Sequence, residues 1–345
     1  MPRNSLVNVT VGFLLGVRCP SRNPPGNGML GRLCAPGFRC LPNNTETKFG
    51  NMTLLKTLSV GLTAFAVAST AMAQTFFEEA STIQGKNIDL GNAGRIYKWS
   101  ALSTNGNVSG TTTHSSSPNN IAFADNVGVW GSTANLILTN SRIQGDAYIR
   151  RGAKPSLSGS AGWSGTNYQT SASDSILSAA ASHAATLSTN ISLLDGTSNY
   201  VSNFSLSGGS IVSTNASLTI SATDSNPVVL KLTDFQMSGG SLTLHGTAAS
   251  KFIINVSRNF GLGNALVDLG PNVNARNVVF NVTTAQSTGT VSLSGTSHLN
   301  GLLVASNRAV GLTGSSIVSG LIVGKSVALS GDAKAKKPKP PKPSP

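Results

Sequence analysis

A short motif returns twice near the C-terminus at a spacing close to twenty residues. Val291-Ser-Leu-Ser-Gly-Thr-Ser297 comes back as Val310-Gly-Leu-Thr-Gly-Ser-Ser316, nineteen residues on, and as Val327-Ala-Leu-Ser-Gly-Asp-Ala333, seventeen after that. Between them lie Leu299-Asn-Gly-Leu-Leu-Val-Ala305 and Val318-Ser-Gly-Leu-Ile-Val-Gly324, also nineteen apart. A period near 20, built from strand-length pieces, marks a solenoid: each repeat buries its apolar face only by stacking on its neighbours. Each copy pairs an alternating strand (Val310, Leu312) with a short apolar run bounded by glycine (Leu302 to Val304). Stacked coils lie about 4.8 Å apart. Glycine suits their corners, and Ser, Thr and Asn suit their tight turns. A β-sandwich also has short strands with frequent turns, but the closeness of the copies favours a β-solenoid.

Composition agrees. Charged residues make up 11% and aromatics 6%, with 37 glycines, which suits narrow coils and excludes a coiled coil or charge-rich disorder. The glycines have no three-residue period, so collagen is excluded.

A looser early copy is Leu136-Ile-Leu-Thr-Asn-Ser141 followed by Ile143 to Ile149. Further strands are expected at Phe204 to Ile211, Ser217 to Ser221, Val228 to Leu232, Ser241 to Leu244, Phe252 to Val256 and Val278 to Val282. One segment breaks the pattern. Between Ser171 and Leu194, apolar residues fall at 176, 177, 180, 184, 187, 191 and 194, the spacing of one helical face. The reading is one long helix, about 173–190, lying against a sheet. Ser171-x-x-Asp174 resembles a capping box, and Asp195-Gly196 supplies a stop.

The net charge of +13 would suggest a polyanionic partner. It is unevenly placed. Residues 1–73 hold 7 Lys+Arg and 1 acid, residues 74–333 hold 13 and 11, and residues 334–345 hold five lysines and no acid. The domain itself is nearly neutral, and no nucleic-acid partner is expected. Met52 to Ala73 has Lys56, an apolar stretch from Leu58, and the small-x-small exit Ala71-Met72-Ala73. This reads as a signal peptide cleaved between Ala73 and Gln74, with an apolar part too short to span a bilayer. Residues 1–51, which hold all three cysteines, then form a doubtful or disordered extension. Translation from Met52 explains them most simply, and a leader built on Val7 to Val17 is the rival. The β-solenoid domain, 74–333, would contain no cysteine, and the mature chain no transmembrane segment. Residues 334–345 read as a disordered Lys/Pro tail, partly polyproline II. Its Lys334, Lys336, Lys337, Lys339 and Lys342 are candidates for contact with an anionic envelope polymer.

Several strands resemble those of a known family. These are Asn226 to Thr233, Lys251-Phe-Ile-Ile-Asn-Val-Ser257 and Asn277-Val-Val-Phe-Asn281, then Leu293 to Gly295, Gly301 to Ala305 and Gly320 to Ser326. Their order is similar to that of the bacterial choice-of-anchor A domains, relatives of the ice-binding-like β-solenoids. The resemblance covers roughly residues 85 to 333 and is stronger after 170. It implies a secreted or surface-exposed protein; an extracellular glycan, a matrix component or an anionic envelope polymer is the candidate partner.

Catalytic groups are sparse. His114, His183, His245 and His298 show no metal-ligand spacing. Gly162-Trp-Ser-Gly-Thr166 lacks the last glycine of a nucleophile elbow, and reads as a loop with a packed Trp163. Asp195-Gly-Thr197 and Asp224-Ser-Asn-Pro227 match no calcium motif. Asp146 with Arg142, Arg150 and Arg151 is the dense charged cluster, read as a solvated strand end. No cofactor, metal or catalytic residue is expected. Thr111-Thr-Thr113 is placed in a loop, and Ser217 to Ser221 with Ser241 to His245 offer two ragged hydroxyl rows. The expectation is a noncatalytic structural or adhesive module, with an ice-binding-like protein or a carbohydrate-active β-helix enzyme as alternatives.

Overall fold

The computed structural model describes residues 81–88, 99–112, 120–206, 208–283 and 291–338, all within the unit Gly61–Pro345. The proposed cleavage site Ala73/Gln74, and Lys339 and Lys342, lie outside them.

The fold is a β-solenoid with one long helix. Strands form a 14-stranded and a 10-stranded sheet, and their pairing is parallel except between Tyr200–Ser202 and Ser217–Ala222. A separate antiparallel hairpin joins Ser81–Ile83 to Lys86–Ile88. The larger sheet turns a corner within its long strands. In Val228–Ser238 and Leu302–Leu312, register shifts at Leu232/Asp234 and Ala305/Ala309 mark the bend. Each full coil therefore contributes to three faces.

The repeat predicted the register. Val291 pairs with Val310, and Val310 with Val327; Leu299 pairs with Val318. The inward column Phe235, Phe260, Val291, Val310, Val327, Val108 and Leu136 is buried throughout. Phe235, Phe260 and Phe280 pack ring to ring, with centroids 5.2–5.7 Å apart.

The stacking order departs from the chain order. Ile322–Ser330 pairs with Trp99–Ser103 and Val108–Thr111, so the last coil lies on the first. The chain winds away from this junction to Tyr168, crosses back, and winds toward it again from the far end. The helix α1, Ser171–Ser192, makes the return. Ten strands in the smaller sheet extend about 43 Å. A 22-residue helix covers about 33 Å of that.

α1 begins two residues before the expected 173 and ends two after the expected 190. Thr170, not Ser171, is the N-cap: its Oγ1 accepts from Ser173 N–H at 3.2 Å, and Ser173 Oγ accepts from Thr170 N–H at 2.8 Å. Leu177, Ala180, Ala184, Leu187 and Ile191 are buried against the outer side of the first face, on Val229, Ile253, Val279 and Leu302. That face is apolar on both sides, which explains strands buried at every position, such as Val278–Val282. Burial of each large aliphatic contributes about 1.5–3 kcal/mol.

Two expectations need correction. Phe204 to Ile211 is not a strand: it begins only at Ile211, because Gly208 and Gly209 turn the chain at φ of 58° and 65°. The C-terminal coil also runs past 333. Lys334–Lys336 forms a strand between Ile317–Ser319 and Ile121–Phe123. Ala335 fills the core, so the tail cannot begin at 334.

Candidate functional site

The second face, formed by the outer half of the bent sheet, is open to solvent. Its outward positions align in two rows across the coils. One row runs Val212, Gln236, Gly261, Ser292, Gly311, Ala328, Ser109, Ile137 and Ser156. The other runs Thr214, Ser238, Gly263 and Ser294, then Ser330, Thr111, Thr139 and Ser158. No ionisable side chain occurs in either row. Successive positions lie about 4.8 Å apart, and the alternation of inward and outward side chains fixes which residues point out. Ser158 Oγ donates to Thr139 Oγ1 at 3.0 Å, linking two coils along the surface.

The corner beside this face is built from left-handed residues. Asn140, Asn215 and Asn264 have φ of 51–53°, a conformation asparagine tolerates better than other side chains. Above each sits a glycine of the next coil, Gly159, Gly239 or Gly295, also at positive φ. A Cβ there would come within 1.8–2.0 Å of the asparagine Oδ1. Asn264 Oδ1 accepts from Thr296 N–H at 3.1 Å, so the side chain supplies the turn's hydrogen bond and the glycine leaves room for it.

At the opposite corner, charge is internal to the fold. The Asp234 carboxylate accepts from Arg258 Nε at 2.9 Å and from Asn259 Nδ2 at 2.8 Å, and Arg258 Nη2 makes a second contact. These donors, Arg258 first, hold the Asp234 carboxyl below its ordinary range against the opposing effect of burial. Burial pushes the Arg308 guanidinium down. It donates to Arg258 O at 2.8 Å and to Thr283 O at 3.4 Å.

The other sequence candidates are dispersed. Asp146 Oδ1 accepts from Thr166 N–H at 2.7 Å, Arg150 donates to Ser132 O at 2.7 Å, and Arg151 pairs with Asp174. The charged cluster is therefore divided among separate turns. Asp224 accepts from Asn199 and Asn226, and these bonds, Asn199 first, lower its pKa. The backbone of Asp195 bonds Gln84. Trp163 packs against the core. His183 lies on α1, His245 is exposed on the third face, and His298 Nε2 lies 2.7 Å from Ser319 Oγ on that face. His114 lies outside the described residues. Among those described, no three His, Cys, Asp or Glu residues form a metal-binding group, and no helix is long and apolar enough to cross a membrane.

The expected hydroxyl rows do pair, Ser217 with Ser241 and Thr219 with Thr243, but on the third face, where they run into Leu266 and Asp268. Sequence reasoning missed the second face. Its rows draw on both ends of the chain, and Thr111 belongs to the strand Val108–Thr111 rather than to a loop. The usable signal was the small residue alternating with the apolar ones in each Val-x-Leu-x repeat: Ser292 and Ser294, Gly311, then Ala328 and Ser330.

A family described as "Putative Ice-binding-like adhesive domain" matches residues 42–334. No curated protein matches the chain. Among solved structures, a glycosylated ice-binding protein from an Arctic yeast aligns at 17% identity and a TM-score of 0.46, covering 73% of this chain and 96% of that one. An ice-binding protein of the Antarctic ascomycete Antarctomyces psychrotrophicus gives 15% and 0.43, over 71% and 97%. The DUF3494 domain of a Shewanella frigidimarina ice-binding protein gives 11% and 0.45, over 72% and 98%.

Proposed function

The chain belongs to the ice-binding-like adhesive domain family, and on that premise we propose that it is an exported, noncatalytic module that adheres through its second face. The observation that carries this reading is the pair of uncharged rows, mostly of small side chains, that cross the coils. Apart from Val212, Gln236 and Ile137, such a surface loses little side-chain entropy on contact, because Ser, Ala and Gly have little to lose. Its hydroxyls can hydrogen-bond a regular partner while the adjacent methyl groups and glycines permit close approach. An extracellular glycan or matrix polymer with a repeating surface fits it. The signal segment before Gln74 supports export.

Ice is the second reading, favoured by the hydroxyls Thr214, Ser238, Ser294, Ser330, Thr111, Thr139 and Ser158 in one row. Gly261, Gly263 and Gly311 interrupt the rows, which favours a polymer over a crystal plane. The experiment is a glycan and matrix-protein binding array with the full chain, alongside thermal hysteresis. Each is repeated with S292Y and S109Y, which raise bulk on the face without touching the core. Loss of array binding in both variants is expected. Undiminished binding would refute the face assignment, and hysteresis without array binding would decide for ice.

A further inference from the structure

The third face carries a separate charge feature that the extra C-terminal strand creates. Ala335 points inward and is buried, so Lys334 and Lys336 point outward from Lys334–Lys336. On one side lies Ile317–Ser319, with Ser319 opposite Lys336. On the other lies Ile121–Phe123, and one coil further Arg142 projects from the same face. Lys337 follows directly and is held 3.0 Å from Asp125. Among the described residues, no carboxylate pairs with Lys334, Lys336 or Arg142. Asp268, the acid in the same outward row as Lys336, is three coils away. That is about 14 Å, beyond the Debye length of roughly 8 Å at physiological salt. Lys339 and Lys342 continue the chain from this point.

We propose that Lys334, Lys336 and Arg142 form a binding surface for an acidic polysaccharide, distinct from the hydroxyl face. The cations sit on hydrogen-bonded strands, so their spacing is fixed, and an extended polymer with recurring carboxylates can meet them in succession. Ser319 beside them is buried, with its Oγ 2.7 Å from His298 Nε2, so contact with the polymer falls to the cations.

The test is binding of the full chain to immobilised polygalacturonate, with dextran, a single-stranded oligonucleotide and anionic vesicles as comparison probes, over a series of salt concentrations. The triple variant K334Q/K336Q/R142Q is expected to weaken polygalacturonate binding at least tenfold and to flatten its salt dependence. K334R/K336R should retain binding, and truncation after Pro338 should weaken it less than the triple variant. Circular dichroism confirms the fold, and R142Q alone, outside the C-terminal strand, gives an independent arm with a severalfold loss. Unchanged binding by R142Q and the triple variant, complete loss on truncation alone, or equal binding to the oligonucleotide or vesicles would overturn the proposal. None of these outcomes bears on S292Y and S109Y, so the two surfaces are tested separately.

Discussion

Asn281 Nδ2 donates to Asn255 Oδ1 at 2.9 Å, and the pair joins the sheet to the last turn of α1. Asn281 Nδ2 also donates to Ser188 O at 3.0 Å, Asn255 Nδ2 donates to Ile191 O at 2.9 Å, and Ser188 Oγ donates to Asn281 Oδ1 at 2.7 Å. Ile191 O also accepts from Leu194 N–H at 3.1 Å. The two buried amides from neighbouring coils thus add donors to carbonyls near the end of α1 and tie it to the sheet.

Replacing Asn281 by leucine should therefore cost about 1–3 kcal/mol, since buried polar groups lose their partner. Urea unfolding would show a lower midpoint with an unchanged slope. Protease sensitivity near residues 188–194 should rise before global unfolding. An unaltered midpoint would mean that water replaces the amide.

Gly295→Ala tests the corner. The new Cβ would meet Asn264 Oδ1 at 2.0 Å, at a φ of 66°. A left-handed alanine alone costs about 1–2 kcal/mol, and the collision adds to it. In an N264G background the collision disappears, so the cost of G295A should shrink toward the backbone term. A double-mutant cycle by thermal or denaturant unfolding measures this coupling.

The Asp234 pair sets a pH dependence. Its carboxyl is held below the unfolded value by Arg258 and Asn259. The stabilisation is present above the ordinary carboxylate range, and is lost as pH falls from there through the lowered folded value. Unfolding curves from pH 7 to pH 2 should show this loss in the parent protein. D234N should be less stable at pH 7 and should lack this part of the acid sensitivity.

The junction between the last and first coils makes the C-terminus essential to the N-terminal strands. Val327 lies between Val310 and Val108 in the core column. V327D places an unpaired carboxylate there and should unfold the domain or lower its midpoint steeply. Removal of residues 322–345 should expose amides of Trp99–Thr111 to hydrogen exchange, because their partner strand is gone. Retained protection would show that the first coils hold together alone.

The repeat, the alternation of Val and Leu, and the apolar spacing along 177–191 were legible because each depends on neighbours in sequence. They determined the coils, their register near the C-terminus, and the helix with its buried side. Asn255 and Asn281 were visible within the family-like strands, but their role was not, since it depends on the end of α1 sixty-four and ninety-three residues away. The tertiary structure decided that the last coil stacks on the first, that Lys334 and Lys336 stand on a strand, and that Ser109, Ser292 and Ala328 share a surface. Local pattern carries which side of a strand is buried. Only long-range hydrogen bonding selects which strand lies beside it, and hence which outward side chains become one face.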